Sequence, residues 1–251
     1  MLEFSESVYD YCDYGDIFVG KDMYDNYIFI DLQECPHILL AGMTGSGKSV
    51  ALNSIICGLL KTYEKYDIEF LMIDTKRVEL APYKKLGEEC CKFVTDTNIA
   101  VKSLEDVCDL IEARYKIMEE QGLRQVDDSY YKIIVVVEEL GDLMYESKKQ
   151  VEQYLVKIAR LGRACGIHLI IATQRPTVDI VTGEIKANIG CRFALQTTSV
   201  IDSMNIIGHR GCETLNGNGD CLLKLPTLQN EIHIQCPYID DKTINKIINE
   251  Y

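Results

Sequence analysis

The sequence predicts an α/β domain with a largely parallel central sheet flanked by helices. Apolar runs alternate along the chain with amphipathic segments, which is the pattern of strands connected by helices. The eight residues Gly42–Ser49, GMTGSGKS, lie between two apolar runs and fit the phosphate-binding pattern G-x-x-x-x-G-K-[ST] at every constrained position. The chain has 251 residues, of which 47% are hydrophobic, so it can bury such a core without metals or disulfides. The predicted fold is therefore that of a P-loop nucleoside triphosphatase.

The strands of the sheet are predicted from short apolar runs, which are His37–Ala41, Glu69–Ile73, Lys132–Val137, His168–Thr173 and Arg192–Gln196. Two later runs, Asp220–Leu225 and Glu231–Gln235, flank the turn-like stretch PTLQN and predict a C-terminal β-hairpin. Gly15 and Gly20 are turn signals near the start of the chain. We therefore expect residues 1–30 to form a short β-rich N-terminal segment and residues 31–251 to form the main domain.

Helices are predicted where apolar residues recur with the helical period. One face of a first helix collects Val101, Leu104, Val107, Cys108, Ile111 and Tyr115. One face of a second collects Val151, Leu155, Ile158 and Leu161. The run after Ser49, VALNSIICGLL, is apolar nearly all round, which predicts a buried helix.

Charge and cysteine content argue against several functional classes. The net charge of −13 argues against a broad basic surface for nonspecific nucleic-acid binding, but leaves room for a small basic patch inside a ring. No apolar run is long enough to cross a bilayer, and the acidic start of the chain is not a signal peptide. Eleven cysteines without a Cys-x-x-Cys pair indicate reduced thiols in a cytoplasmic protein. The adjacent Cys90 and Cys91 leave a redox-active pair as the alternative.

The glycine-rich loop predicts an ATP site. Its glycines allow the backbone N–H groups to point at phosphate oxygens, and the N-terminus of the following helix adds a favourable dipole. Lys48 is predicted to neutralise the β- and γ-phosphates and Ser49 to ligate Mg²⁺. The complete predicted nucleotide-binding set is Gly42, Thr44, Gly45, Ser46, Gly47, Lys48, Ser49 and Val50.

A pair of acids ends the buried strand IIVVV and predicts the catalytic carboxylates. Glu138 would hold a water on Mg²⁺, so that Ser49 and Glu138 are the predicted metal-site residues. Glu139 would orient or activate the attacking water. The usual first acid is Asp, and Glu is one methylene longer. A solvated strand end is the alternative reading of this pair.

Gln174 follows the apolar strand IHLIIAT, directly before Arg175 and Pro176. A polar side chain here, beside the second acid, could sense the γ-phosphate. The alternative is a simple strand-to-loop turn stopped by the proline.

Several longer stretches resemble the FtsK/SpoIIIE family of hexameric DNA-translocating ATPases. The resemblance begins in GKDMYDNYIFIDLQECPHILLAGMTGSGKSV and continues in Ile73-Asp-Thr-Lys-Arg-Val-Glu-Leu80, where the family reads I-D-P-K-x-x-E-L. It includes Arg114-Tyr-Lys-Ile-Met118 before Gly122, and the stretch GIHLIIATQRPTVDIVTGEIKANIGCRFALQTTSVIDSMNII. It ends with Gly217-Asn-Gly-Asp220 before the hairpin. These motifs occur in the family's order, from about Gly15 to the C-terminus.

The resemblance implies a RecA-like core, a ring of six subunits, and ATP bound between neighbours. An arginine of the neighbouring subunit would complete each site, and Arg192 in CRFALQ stands at the family's position for it. Arg163 is the second candidate. The implied partners are double-stranded DNA, other copies of the chain, and a membrane-bound or DNA-processing protein, in DNA segregation or conjugative transfer. We expect no membrane insertion and no appended DNA-reading domain.

The chain departs from the family where that family touches DNA. The family often carries basic residues in the stretch S-S-K-I-D-S-R-T near the pore, whereas Thr198–Asn205 here reads TSVIDSMN without a positive charge. The basic residues that remain nearby in sequence are Lys186, His209, Arg210 and Lys224. Polar side chains and backbone amides also bind phosphates, so DNA contact does not require these residues.

Two other functions remain open from the sequence. The ATPases of type VII protein secretion share the implied fold, but they typically carry a glycine-rich Y-K-G-G-G stretch after the second strand, where this chain has Asp74–Glu79, DTKRVE. A regulatory module with a decayed site is the third possibility, and the unusual Glu138 is its only support.

Overall fold

The computed structural model describes residues 2–126 and 130–251. The strands are β1 (Ile17–Asp22), β2 (Tyr27–Ile30), β3 (His37–Ala41), β4 (Ile68–Ile73), β5 (Cys91–Val94), β6 (Lys132–Val137), β7 (Ile167–Thr173), β8 (Cys191–Leu195), β9 (Asp220–Lys224) and β10 (Ile232–Gln235). The α-helices are α1 (Lys48–Thr62), α2 (Thr97–Gln121), α3 (Leu140–Leu161), α4 (Gly183–Asn188), α5 (Val200–Ile207) and α6 (Asp241–Glu250). Short 3-10 helices occupy Glu6–Tyr11, Ala81–Leu86, Arg163–Cys165 and Cys212–Thr214.

The strands form one sheet in the order β2-β1-β10-β9-β8-β3-β7-β6-β4-β5. The strands from β8 to β5 are parallel, and β9, β10, β1 and β2 extend the sheet antiparallel. The predicted α/β fold with a largely parallel sheet and a C-terminal hairpin is confirmed. The strands predicted from apolar runs correspond to β3, β4, β6, β7, β8, β9 and β10. Each predicted boundary lies within one residue of the observed boundary.

Alternate residues of the central strands supply two separate cores, because successive side chains of a strand point to opposite faces. Ile38 and Leu40 of β3 pack on one side with α1, whereas Leu39 packs on the other side with α2 and α3. α6 covers α1, and α4 packs on α3. Because the central strands are covered on both faces, they read as continuous apolar runs.

The β1–β2 hairpin lies within the first 30 residues and joins the main sheet, since β1 pairs antiparallel with β10. The hairpin is therefore continuous with the strands that follow it, and the division at residue 30 stays a prediction. Sequence analysis did not predict β5, α4, α5 or α6, which are short elements near the edges and ends of the fold.

The adjacent cysteines at the start of β5 are buried, with Cys90 1% and Cys91 5% exposed. Burial raises the pKa of Cys91 to about 12 and also raises the pKa of Cys90. Both thiols therefore stay protonated near neutral pH, which does not suit a reactive pair. All eleven cysteines are free. Among the residues described, no helix is both long and apolar enough to span a bilayer.

Gly58 tests the packing of α1 against the N-terminal segment. A Cβ at this position would lie 2.6 Å from the Tyr9 hydroxyl oxygen and 2.8 Å from a methyl carbon of Ile17. We expect Gly58→Ala to lower the free energy of unfolding by about 1–3 kcal/mol through overpacking, although alanine in an open helix position stabilises by about 1 kcal/mol.

Urea unfolding followed by circular dichroism measures this effect. Gly183→Ala is the matched control, because a Cβ on Gly183 of α4 would meet nothing within 4 Å. Equal effects of the two substitutions would contradict tight packing at Gly58.

Candidate nucleotide-binding and hydrolysis site

The glycine-rich loop Gly42–Ser49 joins the carboxyl end of β3 to α1 and is held by both neighbouring strands. The Gly42 N–H donates to the Thr173 carbonyl of β7 at 3.3 Å, and the Met43 N–H donates to the Gln196 carbonyl after β8 at 2.8 Å. Gly47 has φ +97, a left-handed conformation that favours glycine. The loop therefore has a fixed, strongly curved path above the sheet.

A second glycine loop, Gly217–Asp220, braces the phosphate loop from the side. The Gly219 N–H donates to the Ser46 carbonyl at 2.8 Å, and the Gly219 carbonyl accepts from the Cys236 N–H at 2.8 Å. A Cβ on Gly47 would lie 2.4 Å from the Gly219 nitrogen, so the two loops approach too closely for any side chain there. This contact ties the phosphate loop to the C-terminal hairpin.

The predicted nucleotide-binding residues come together at the open N-terminus of α1. The helix begins at Lys48, and Gly47 provides no side-chain cap. The first N–H groups of a helix lack acceptors within it, and with the helix dipole they form an anion site. Ser49 and Val50 lie in this first turn. The loop thus suits the phosphates of a nucleotide.

Lys48 and Glu138 form a buried ion pair below this loop. The Lys48 Nζ lies 3.2 Å from Glu138 Oε1, and the side chains are 3% and 1% exposed. Burial raises the pKa of Glu138 above its ordinary value, against the opposing effect of Lys48. Lys48 therefore already faces an anion, and phosphate binding must replace or share that partner.

A magnesium ion fits the chemistry of this corner. Glu138 Oε2 is buried without a hydrogen-bond partner among the described residues, so it has a free acceptor for a metal-bound water. Mg²⁺ is commonly bound through one or two protein groups together with waters and phosphates, and Ser49 and Glu138 would supply such groups.

Glu139 is the N-cap of α3 and is 5% exposed. Its Oε1 accepts from the Thr173 hydroxyl at 2.7 Å and from the Gly141 N–H at 3.2 Å, and its Oε2 accepts from the Gln174 N–H at 3.1 Å. The Lys76 Nζ lies 3.5 Å from the same Oε2. The second acid is therefore an oriented buried group rather than a solvated strand end.

Gln174 links the phosphate loop to this carboxylate. Its side-chain Oε1 accepts from the Thr44 hydroxyl at 2.8 Å, while its backbone N–H contacts Glu139. A change at the phosphate loop can therefore reach the acid through one residue.

Arg192 lies on β8 and is held within its own subunit. Its guanidinium donates to the carbonyls of Ile189 at 2.9 Å, Ile206 at 2.8 Å and Lys186 at 2.5 Å. These bonds join the ends of α4 and α5 to the sheet. Arg163, the second candidate, lies in a 3-10 helix before the amino end of β7, away from the phosphate loop.

Sequence reasoning about the site missed Lys76 and Gln196. Lys76 follows β4 in the segment DTKRVE, which was noted only as a family motif. Gln196 supports the phosphate loop through its backbone carbonyl, and a carbonyl contact leaves no signal in residue type. Proximity of these residues follows from the strand order of the sheet.

This geometry is that of a P-loop nucleotide-binding site in a RecA-like core. The FtsK/SpoIIIE family matches the chain over residues 12–132 and 127–178, and the chain belongs to that family. A DNA translocase FtsK of Chlorobaculum tepidum is 41% identical over 248 residues, which cover 92% of this chain and 31% of that protein. The chain thus spans about a third of the length of this relative.

Solved structures show the same core. The pCW3 conjugation coupling protein TcpA, in a monomer form with ATPγS, is 30% identical with a TM-score of 0.86, and the match covers 99% of this chain and 73% of that one. The type VII secretion ATPase EccC of Thermomonospora curvata is 19% identical with a TM-score of 0.81, and the match covers 99% of this chain and 32% of that one. The EccC likeness shows the fold alone.

Asp220 gives the bracing loop a dependence on pH. Its carboxylate accepts from the Asn216 N–H and side-chain amide, each at 2.8 Å, and contacts His233 at 2.5 Å. Burial alone raises the pKa of Asp220, but these bonds outweigh it and leave that pKa below its ordinary 3.8. Because the native pKa is depressed, the stabilisation is complete above the unfolded-state pKa and is lost as pH falls through the native pKa.

We expect Asp220→Asn to lower the free energy of unfolding by about 1–2 kcal/mol at neutral pH, with the difference from the unsubstituted protein shrinking below about pH 4. Urea unfolding between pH 3 and pH 7 measures this. Asp10→Asn, at an exposed aspartate, is the control. A difference that is constant across this pH range would contradict the role of the carboxylate charge.

Proposed function

We propose that this chain is an ATP hydrolase whose subunits form a ring, and that the ring translocates double-stranded DNA. The observation that supports hydrolysis is the convergence of Lys48, Glu138 and Glu139 below one braced phosphate loop. The support for DNA as substrate is the similarity to named DNA translocases.

In the proposed reaction, the phosphate loop and Lys48 hold the β- and γ-phosphates, and Ser49 with Glu138 would hold Mg²⁺ and its water. The bound ion would supply charge neutralisation at the terminal phosphate. Glu139 orients the attacking water and takes its proton. Gln174 registers the terminal phosphate, because its contact with Thr44 places it beside the loop.

Arg192 is proposed to complete the site of the neighbouring subunit in a hexameric ring. Its three bonds to backbone carbonyls fix its position at the end of β8. These bonds use three of the five N–H donors of the guanidinium, which leaves two for a neighbour's phosphate.

The proposed DNA contact at α5 depends little on charge. Ile201 and Met204 are 78% and 55% exposed on this helix. Of the nearby basic residues, Lys186 contacts Asn205, and both His209 and Lys224 pair with Glu231. Arg210 is exposed beside them, and contacts from hydroxyls, amides and the backbone complete the proposed grip. The free thiols suit the proposed cytoplasmic location. A membrane-bound or DNA-processing protein is proposed to deliver the DNA.

Protein export is the second candidate function, and the observation that favours it is that α5 carries the acidic Asp202 and no basic residue. The likeness to EccC is limited to the fold at 19% identity. The segment Asp74–Glu79 has the DNA-translocase form, and Lys76 within it contacts Glu139. DNA therefore remains the favoured substrate.

We expect ATP turnover by the purified chain to increase several-fold with long double-stranded DNA. We expect Lys48→Ala to reduce ATP turnover by at least about 100-fold. Steady-state phosphate release at several salt concentrations measures both. Because few cations face the proposed DNA surface, the apparent affinity for DNA in this assay should fall only shallowly with salt, by about 0.9 log units per log salt for each phosphate neutralised.

Retained turnover in Lys48→Ala would contradict the site assignment. Turnover that does not respond to DNA at any salt concentration would favour a protein substrate instead. Thermal unfolding of the Lys48→Ala protein is the control for folding.

A mixing experiment tests the role of Arg192 across subunits. Subunits with Arg192→Ala retain Glu139, and subunits with Glu139→Gln retain Arg192, so a mixed interface can hold one complete site. We expect mixtures to exceed the turnover of both parents, with a maximum near equal proportions.

Mixtures of Lys48→Ala with Glu139→Gln are the matched control, because both changes lie in the same half of the site and no interface is complete. If no Arg192→Ala mixture exceeds its parents while the subunits stay folded and assembled, the arginine acts only within its own subunit.

A further inference from the structure

The carboxylate of Glu139 is surrounded by four protein donors. A carboxylate offers about four lone-pair positions. The Thr173 hydroxyl and the Gly141 N–H donate to Oε1, and the Gln174 N–H donates to Oε2. The Lys76 ammonium lies 3.5 Å from Oε2 as an ion pair, beside the acceptor position that these three hydrogen bonds leave. A base that must take a proton from water needs that position, so the ammonium stands where the attacking water would bind.

Three of these contacts are fixed by the fold. Gly141 lies in the first turn of α3, and the Gln174 N–H belongs to the backbone after β7. The Thr173 side chain is fully buried and its hydroxyl oxygen also accepts from the Arg175 N–H at 3.1 Å, which directs its proton toward Glu139. Lys76 differs, because its side chain is 43% exposed and has four rotatable bonds.

The loop after β4 is built to present Lys76 to this carboxylate. The fully buried Asp74 accepts from the N–H groups of Arg77 at 2.8 Å and Leu80 at 3.1 Å, and Arg77 takes φ +62. Thr75 donates to Asp142 of α3 at 2.7 Å. The backbone on either side of Lys76 is therefore anchored, while its side chain remains free to leave.

We propose that Lys76 is a positioning residue that holds Glu139 in a resting orientation and thereby keeps ATP turnover low in the absence of DNA. Release of the ammonium frees one position on Oε2 for the attacking water. This inference rests on the proposed ATPase function and adds a restraint on it. The restraint acts through an ion pair, so a cationic replacement keeps it and a neutral one of similar length removes it.

Lys76→Met and Lys76→Arg test the restraint, with ATP turnover measured with and without DNA. We expect Lys76→Met to raise the DNA-free kcat roughly two- to fivefold, the size expected for a partly exposed ion pair. The KM for ATP and the DNA-stimulated kcat should change less than about twofold, because the contact is already open in the stimulated state. Lys76→Arg should keep the low DNA-free rate.

Lys148→Met is the matched control. Lys148 is 45% exposed and pairs with Asp179 rather than with Glu139, so the same substitution there should leave the DNA-free rate unchanged. An equal loss of kcat with and without DNA in Lys76→Met would overturn the inference, since it would make Lys76 a contributor to the reaction itself. An unchanged DNA-free rate would overturn it as well.

The two proposals fail in different ways. If DNA does not stimulate the unsubstituted chain but Lys76→Met still raises its turnover, the restraint stands and the DNA substrate is wrong. If Lys76→Met binds a fluorescent ATP analogue yet hydrolyses no ATP, the restraint is wrong. Absence of turnover in the unsubstituted chain together with turnover in Lys76→Met would support it.

Discussion

Lys48 and Glu138 face each other across 3.2 Å with almost no exposure to solvent, and the arrangement of the site follows from this pair. Each charge is costly to bury alone. Each group therefore requires its partner, or another group with the same charge as that partner. Before nucleotide binds, the lysine pairs with Oε1 of the carboxylate, while Oε2 has no hydrogen-bond partner among the described residues. A polyphosphate with its metal ion can take over both partners at once, because it brings negative charge to the lysine and positive charge to the acid. The pair therefore suits a ligand that brings both charges.

The position of the pair depends on the parallel sheet. β3 and β6 both end at the same edge, and β7 lies between them, so the phosphate loop, the two acids and Gln174 meet there. The same edge receives the loop after β4 because β4 neighbours β6. A residue far away in sequence, Lys76, reaches Glu139 for this reason. The proposed catalytic groups and Lys76 are thus neighbours through strand order.

The C-terminal hairpin extends the sheet and also supports the phosphate loop. Its glycine loop holds the Ser46 carbonyl and leaves no room for a side chain on Gly47. β10 in turn pairs with β1, which connects the N-terminal hairpin to the same structure. Movement of the hairpin would therefore alter the phosphate loop directly. Arg192 connects β8 to two helices in a similar way, because its guanidinium donates to backbone carbonyls of α4 and α5.

The sequence by itself determined the phosphate loop, the acid pair and most of the sheet, because apolar runs and a glycine pattern are local signals. It also indicated Gln174 as a candidate, since a polar residue at the end of a buried strand is conspicuous. Tertiary structure alone decided that Lys76 pairs with Glu139 and that Gly219 braces Gly47, because both contacts join segments far apart in the chain. It also decided that Arg192 is bonded within its own subunit. Strand order and backbone carbonyl contacts have no local signature, and these are what bring the site together.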